Sequence, residues 1–252
     1  MTQENAGLDR LGLGKLRLYQ RPELFKYTID PVLLAAFIRV YPRHHVLDLG
    51  TGVGVIPLWL AGYRGVRRVT GLELQEEMAD LAAENAGLNK LEAQIRIVRG
   101  DLRNPPPEIT GERFDWVVSN PPYHKATGGP VAENPILANA RFEITCTLEE
   151  VIAAASRLVR EGGQVALVHL PERLPDLFVF FRKYRLEPKR LCLVHPRPGM
   201  PPHRVLIEGK KGARGGLKVL KPFFLHTDSP ETGEKFTPEM LEVYRTGSFP
   251  PG

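Results

Sequence analysis

The segment His45-Val46-Leu47-Asp48-Leu49 is a short apolar run that opens directly into Gly50-Thr51-Gly52-Val53-Gly54, and Val55 to Ala61 continues as a helix-compatible stretch. A buried strand, a glycine turn and a helix in immediate succession commit a chain to an α/β layout. Three glycines at alternate positions let the backbone approach a ligand closely, and the helix beyond them offers free N–H groups at its start. Pro57 is compatible with that helix only inside its first turn. The spacing is G-x-G-x-G and not the G-x-G-x-x-G of a dinucleotide turn, since Val55 stands where the third glycine of that pattern falls. Asp48, just ahead, also disfavours a pyrophosphate, because two anions repel. It suits a ligand that carries positive charge and an amine. S-adenosylmethionine, with its sulfonium and amino group, has both.

Acids recur at regular places downstream. Val66 to Glu73 reads as the next strand and ends on a carboxylate 19 residues after Gly54, placed to accept from both hydroxyls of a ribose. Glu76 to Leu88 has helical spacing through Met78, Leu81, Ala82 and Asn85. Ile95 to Val98 is a short strand closed by Gly100-Asp101-Leu102, which puts a carboxylate within reach of an adenine amine. Phe114 to Ser119 is a fourth strand and runs into Asn120-Pro121-Pro122-Tyr123. Two consecutive prolines cannot continue a sheet ladder, so this loop is stiff. The Asn120 side-chain carbonyl and a neighbouring backbone carbonyl can both accept from one exocyclic amine, while the Tyr123 ring stacks on the attached plane. That suits an adenine amine or a carboxamide. Taken singly, Glu73 and Asp101 read as solvated strand ends, and the tetrapeptide as an ordinary turn. Acids closing three successive strands, with Asn120 closing the fourth, match the place where open α/β sheets bind ligands.

Together these features resemble the class I S-adenosylmethionine-dependent amino-methyltransferases, and more closely the bacterial tRNA(Val) adenosine-37 N6-methyltransferase family. The closer match is carried by Tyr27-Thr28-Ile29-Asp30-Pro31-Val32-Leu33-Leu34, Ala140-Arg141-Phe142-Glu143 and Val168-His169-Leu170-Pro171-Glu172-Arg173-Leu174. Leu186-Glu187-Pro188-Lys189-Arg190, Val205-Leu206-Ile207-Glu208 and Phe236-Thr237-Pro238-Glu239 continue it. The resemblance spans roughly residues 10 to 245. It implies catalysis by Asn120, Pro121, Pro122 and Tyr123. It further implies a cofactor set of Thr28, Asp30, Asp48, Gly50, Thr51, Gly52, Gly54, Glu73, Leu74, Asp101, Leu102 and Asn120. The substrate set it implies is Tyr123, His124, Lys125, Arg141, Arg197 and Arg204, with a tRNA as partner. Two departures fall on the substrate side: His124 stands where Phe or Tyr is common, and Pro201-Pro202-His203-Arg204 replaces small and polar residues. The tetrapeptide also serves methylation of a glutamine amide in a release factor. No stretch resembles the N-terminal helical domain of such enzymes, nor the target-recognition domain of a DNA adenine methyltransferase. A non-catalytic RNA-binding protein that keeps a cofactor site is the alternative from another class.

The rest of the chain predicts the remaining architecture. Leu148 to Val159 reads as an amphipathic helix, Gly163 to His169 as a buried strand and Pro171 to Tyr184 as a helix. Strands at about 189–195 and 203–209, joined through Pro196, Pro198 and Gly199, give an antiparallel finish to an otherwise parallel sheet. The expectation is a Rossmann-like, seven-stranded class I methyltransferase sheet with helices on both faces. Residues 1–30 are read as an N-terminal lid and 31–252 as the methyltransferase domain, one domain overall. The polar stretch His124 to Ala140 is too long for a simple connection and is placed to cover a base beside Tyr123. Between Arg182 and Lys221 there are 12 Lys or Arg against 2 acids, a formal +10 in a chain whose total is +5. Such a stretch on one sheet edge suits phosphate neutralisation. Lys15, Arg17, Arg21 and Lys26, interleaved with Tyr19, Phe25 and Tyr27, suit either unstacked nucleotides or a lid over the cofactor. Cys146 and Cys192 lack zinc or disulfide spacing, and Cys146 is expected to be buried. His169 and His195 have no ligand partner at helical spacing, so no metal is indicated. No apolar run reaches membrane-spanning length and no signal segment is visible, which predicts a cytoplasmic protein without membrane partners.

Overall fold

The computed structural model describes residues 7–20, 28–123, 146–228 and 235–250. The expected cover loop His124 to Ala140, with Lys125, Arg141 and Glu143, and the segment from Arg21 to Tyr27 lie outside the described residues.

An N-terminal hairpin, β1 (Gly7–Leu11) and β2 (Leu16–Gln20), precedes helix α1 (Asp30–Phe37). Then β3 (His45–Leu49), α2 (Val55–Gly62), β4 (Arg68–Glu73), α3 (Glu76–Leu88), β5 (Ile95–Arg99), a single turn α4 (Pro107–Thr110) and β6 (Phe114–Ser119) alternate. After the undescribed loop come α5 (Leu148–Leu158), β7 (Val159–His169), α6 (Leu174–Lys183), β8 (Leu186–His195) and β9 (Arg204–Lys211). Two short strands, β10 (Lys218–Val219) and β11 (Phe223–Phe224), and α7 (Pro238–Thr246) finish the chain. The sheet runs β5-β4-β3-β6-β7-β9-β8, with β10 and β11 added against β8, nine strands in all. β9 is antiparallel to both β7 and β8, while the pairings among β3 to β7 are parallel. The two additions extend the expected seven strands at one edge only.

Both faces of the sheet are covered, so its central strands are continuous apolar runs whose alternate residues serve opposite cores. Val46, Trp116, Val118, Ala166, Val168 and Leu206 point to the side of α1, α2 and α7. Leu47, Val117, Val165, Leu167, Val205 and Ile207 point to the side of α5 and α6. α5 starts with a full capping box, Thr147 accepting from the Glu150 N–H and Glu150 accepting from Thr147. α7 starts with Thr237 as N-cap, its side chain accepting from the Met240 N–H, and Pro238 at the first position.

Several elements differ from expectation. α1 escapes sequence reading because each of its eight residues is buried, which leaves no polar stripe to mark a period. The hairpin docks on α3 through side chains: Asn89 accepts from the Arg17 N–H at 2.9 Å and donates to its carbonyl at 2.7 Å. Asn85 does the same for Tyr19 at 2.7 and 3.1 Å. Two amides one helical turn apart thus stand in for a neighbouring strand. β8 begins before Pro188, at which the register shifts, as a proline in a strand requires. β9 continues through Gly209 to Lys211, two residues beyond the expected end. A side chain at Gly209 is excluded because a Cβ would lie 2.5 Å from the Phe181 ring. Cys146 is half-buried rather than buried, and Cys192 is buried. No helix among the described residues is long and apolar enough to cross a membrane.

Candidate active site

The carboxyl ends of β3, β4 and β6 and the turn after β5 converge on one mouth of the sheet. Gly50 and Thr51 donate to the Leu72 carbonyl at 2.9 and 3.1 Å, which folds the glycine turn onto β4. Gly50 adopts φ +72°, and a Cβ there would meet nothing within 4 Å, so its backbone borders open space. Gly54 caps α2 at φ +88°, and its missing Cβ would sit 3.3 Å from Ala82 Cβ of α3. Gly54→Ala is therefore expected to destabilise the protein by about 1–3 kcal/mol, combining left-handed strain with the contact to α3. Urea denaturation measures this, and a loss below about 0.5 kcal/mol would show that the turn relaxes freely.

Asp48 is 1% exposed and accepts from Thr51 Oγ1 at 2.7 Å through Oδ2. Its Oδ1 is buried and has no hydrogen-bond partner among the described residues. Burial pushes the Asp48 carboxyl up to about 7, against the Thr51 bond and with a smaller push from Glu73. Glu73 accepts from Gly52 N–H at 2.8 Å and Gln75 N–H at 3.0 Å, and burial raises it despite these bonds. Asp101 is engaged by its neighbour: Arg103 Nε and Nη2 reach its oxygens at 3.0 and 2.6 Å. That bond holds the Asp101 carboxyl below the usual range. Leu74 is exposed beside Glu73, and Leu102 is half-buried against the α5 side. An unpartnered buried carboxylate oxygen, a glycine cradle open to solvent and a second buried acid fit a ligand with an ammonium and a ribose. The donor set thus fits S-adenosylmethionine, with Asp48, Gly50, Gly52 and Glu73 the groups that would hold it.

Asn120 and Tyr123 stand beside this cradle. The Tyr123 hydroxyl donates toward Asn120 Oδ1 and toward Asp30 Oδ2, the latter at 2.9 Å. Arg204 Nε donates to the same Asp30 oxygen at 2.8 Å, and its guanidinium lies 4.6 Å from the Tyr123 ring centroid. His169 meets that ring edge-on, 5.4 Å between centroids, with Nδ1 accepting from the Leu170 N–H. Burial raises the Tyr123 phenol well above its usual range, and Asp30 adds to this. Ser119 fixes the strand end by donating to the Leu49 carbonyl at 2.7 Å.

The expected substrate residues separate. Arg204 is turned inward on Asp30 and Tyr123, so it supports the ring from within the protein. Arg197 is exposed on the β8–β9 turn. Thr28 is exposed just ahead of α1, its Oγ1 3.4 Å from the Asp30 backbone nitrogen. Asp30, expected with the cofactor group, spends its carboxylate on Tyr123 and Arg204. The basic stretch runs through β8 and β9, near one edge of the sheet. β8 and β9 are antiparallel, with Leu186 opposite Lys211 and Val194 opposite Arg204. Many of its charges, Arg182, Lys183, Arg185, Lys210 and Lys211 among them, therefore gather at the far end of the sheet. Arg182, Lys183 and Arg185 there pair with Glu187, Glu149 and Glu161. Among the described residues no three His, Cys, Asp or Glu side chains assemble as a metal site.

A sheet of this order, with one antiparallel strand inserted next to the edge and an Asn-Pro-Pro-Tyr turn beside an acid-lined glycine cradle, defines a class I methyltransferase. Residues 26–175 match the family model described as "Methyltransferase small domain". The chain belongs to that family and, within it, to the group of the tRNA1(Val) (adenine(37)-N6)-methyltransferases. It is 37% identical over 186 residues to the protein of that name from Porphyromonas gingivalis, covering 71% of this chain and 72% of the relative. With the Bacteroides fragilis protein of the same name it shares 33% over 183 residues, 72% of this chain and 76% of the relative. Its fold resembles an Agrobacterium tumefaciens protein described as a predicted O-methyltransferase (TM-score 0.69, 24% identity, 88% of this chain and 98% of that one). It also resembles the M. jannaschii tRNA m1G37 methyltransferase (TM-score 0.59, 15% identity, 84% of this chain and 59% of that one).

Proposed function

We propose that the protein methylates the exocyclic N6 amine of an adenosine in RNA, the adenosine being position 37 of a tRNA. The observation that carries this reading is Asn120 Oδ1, an amide acceptor at the end of β6 beside an aromatic ring and next to the Asp48 cradle. The names of the relatives support the tRNA as substrate. An adenine amine has its lone pair delocalised into the ring and is a weak nucleophile. Hydrogen bonds from it to Asn120 Oδ1 and the Pro121 carbonyl favour a tetrahedral nitrogen and localise that pair. Tyr123 fixes the base plane, and the double proline keeps both acceptors in register. S-adenosylmethionine, when bound, supplies the electrophilic methyl group. Orientation and fixed dipoles of this kind account for roughly 7 kcal/mol or more of barrier lowering, without a general base.

Asp48 gives this reading a pH signature. Below about 7 its carboxyl is protonated in the free protein, whereas an ammonium facing it requires the anion. Cofactor affinity is expected to rise with pH by up to about tenfold per unit and to level off above 7. Stability of the free protein runs the other way: it is greatest below the unfolded value of 3.8 and falls as pH rises through about 7. Calorimetric titration across this range, on the native protein and on Asp48→Asn, tests the first statement. A flat profile for the native protein would remove Asp48 from the ammonium's partners.

Incubation with methyl-labelled cofactor and unmodified bulk tRNA, followed by digestion to nucleosides, tests the function. Label in N6-methyladenosine, lost when adenosine 37 is replaced by guanosine, is the expected result. Label absent from RNA but present in added release factor would move the assignment to a glutamine amide. Label in neither would leave the reading without an activity.

A further inference from the structure

We propose that Asp30 is a positioning residue for methyl transfer: it takes the Tyr123 hydroxyl proton in a hydrogen bond and so leaves the Asn120 side-chain oxygen free for the target amine. This rests on the reading that Asn120 accepts from that amine. The Tyr123 hydroxyl lies within hydrogen-bond reach of two acceptors, Asn120 Oδ1 and Asp30 Oδ2. A phenol has one proton to give. Given to Asn120, that proton takes one of the two lone pairs of Oδ1 and weakens the oxygen as an acceptor, so the residue that stacks on the base competes with the incoming amine. Given to Asp30, it leaves Asn120 to the amine while the ring stays in place. The hydroxyl lies closer to the amide oxygen, but a carboxylate is the stronger acceptor of the two, and this favours Asp30.

The surroundings of Asp30 fit this purpose. The residue is 1% exposed, a costly place for a carboxylate unless a cation accompanies it. Arg204 supplies the charge, bonding Asp30 Oδ2 through Nε at 2.8 Å. It is fixed in turn by its own bond to the His203 carbonyl at 2.7 Å. The same guanidinium covers the Tyr123 ring at 4.6 Å, so one group holds both the acceptor and the ring it serves. Asp30 begins α1, whose wholly buried body gives the carboxylate a fixed origin. Burial keeps the phenol protonated, so the hydroxyl remains a donor.

The test is a mutant cycle. Asp30→Asn keeps the shape and weakens the acceptor, which sends the hydroxyl proton to Asn120. Its kcat is expected to fall about 30-fold. Affinity for S-adenosylhomocysteine, measured by calorimetry, is expected to stay within about threefold of the native value. Tyr123→Phe removes the competing proton, so the Asp30→Asn/Tyr123→Phe double variant is expected to turn over within about threefold of Tyr123→Phe alone. A double variant that loses the full Asp30→Asn factor again would overturn the proposal, as would an Asp30→Asn protein with native kcat. Thermal melts report whether Asp30→Asn folds. If it does not, Arg204→Lys, which keeps the charge but loses the fork, takes its place in both backgrounds with the same rescue expected. Product analysis of the native enzyme and of Asn120→Ala comes first. A failure there belongs to the functional reading, and a failure confined to the cycle belongs to Asp30.

Discussion

Replacing Asn120 by alanine is expected to lower the rate of methyl transfer about a thousandfold and to leave cofactor affinity within about threefold. The split follows from where the residue sits. Asn120 ends β6 one strand away from the Asp48–Gly50 turn, and its Oδ1 faces the Tyr123 hydroxyl rather than the cradle. Removing its amide takes away an acceptor that the amine needs only as it reacts, so kcat falls and binding does not. The fold tolerates the change, because Asn120 is half-buried in a loop held by Ser119 and two prolines. Single-turnover transfer with labelled cofactor and calorimetry with S-adenosylhomocysteine measure the two halves. A variant that keeps more than about a tenth of the native rate would remove Asn120 from the chemistry.

The largest effect on stability is expected from Arg190→Met, about 3–5 kcal/mol. Arg190 and Glu208 face each other across β8 and β9 at 2.7 Å, with side chains 10% and 4% exposed. Gln164 donates to the other Glu208 oxygen at 2.6 Å from β7. The guanidinium also donates to the Phe37 carbonyl at 3.3 Å and lies 4.4 Å from the Phe37 ring centroid. Methionine fills similar space but leaves a buried carboxylate with a single amide donor. Adding Glu208→Gln removes the stranded charge and is expected to recover at least half of the loss. Urea denaturation of the three proteins measures this, and a loss under about 1 kcal/mol for Arg190→Met would mean that water reaches Glu208. Because Arg190 also grips the end of α1, the single variant should lose activity faster than its residual fold predicts.

The cradle half of the site was legible in the sequence because its residues are consecutive with the strands that carry them. Asp48 and Glu73 each close an apolar run, as does Asp101, which the structure pairs with Arg103, and the glycine spacing together with Asp48 disfavours the dinucleotide alternative. Asn120 to Tyr123 announce themselves as a stiff turn for the same reason. The support of Tyr123 was not legible. Asp30 and Arg204 lie 93 residues before it and 81 after it, and no local period links them. α1 gave no amphipathic signal, being buried all round. The Asn85 and Asn89 bonds to the hairpin look like ordinary polar helix positions in the sequence, although Asn85 is fully buried. Which end of the sheet edge carries the charge was not legible, because a hairpin folds a contiguous basic stretch so that its two outer ends meet, away from the mouth.

The reversed direction of β9 has a consequence for how the protein comes into being. A strand parallel to its neighbours would present its last residue at the mouth, whereas β9 presents its first, Arg204. On a ribosome the last acid of the cradle, Glu73, emerges roughly 130 residues before Arg204 does. A nascent chain therefore carries Asp30 without its cation until β9 has been made. A product cut short between β8 and β9 would lack both the strand that joins β7 to β8 and the cation that clamps Asp30 beneath Tyr123.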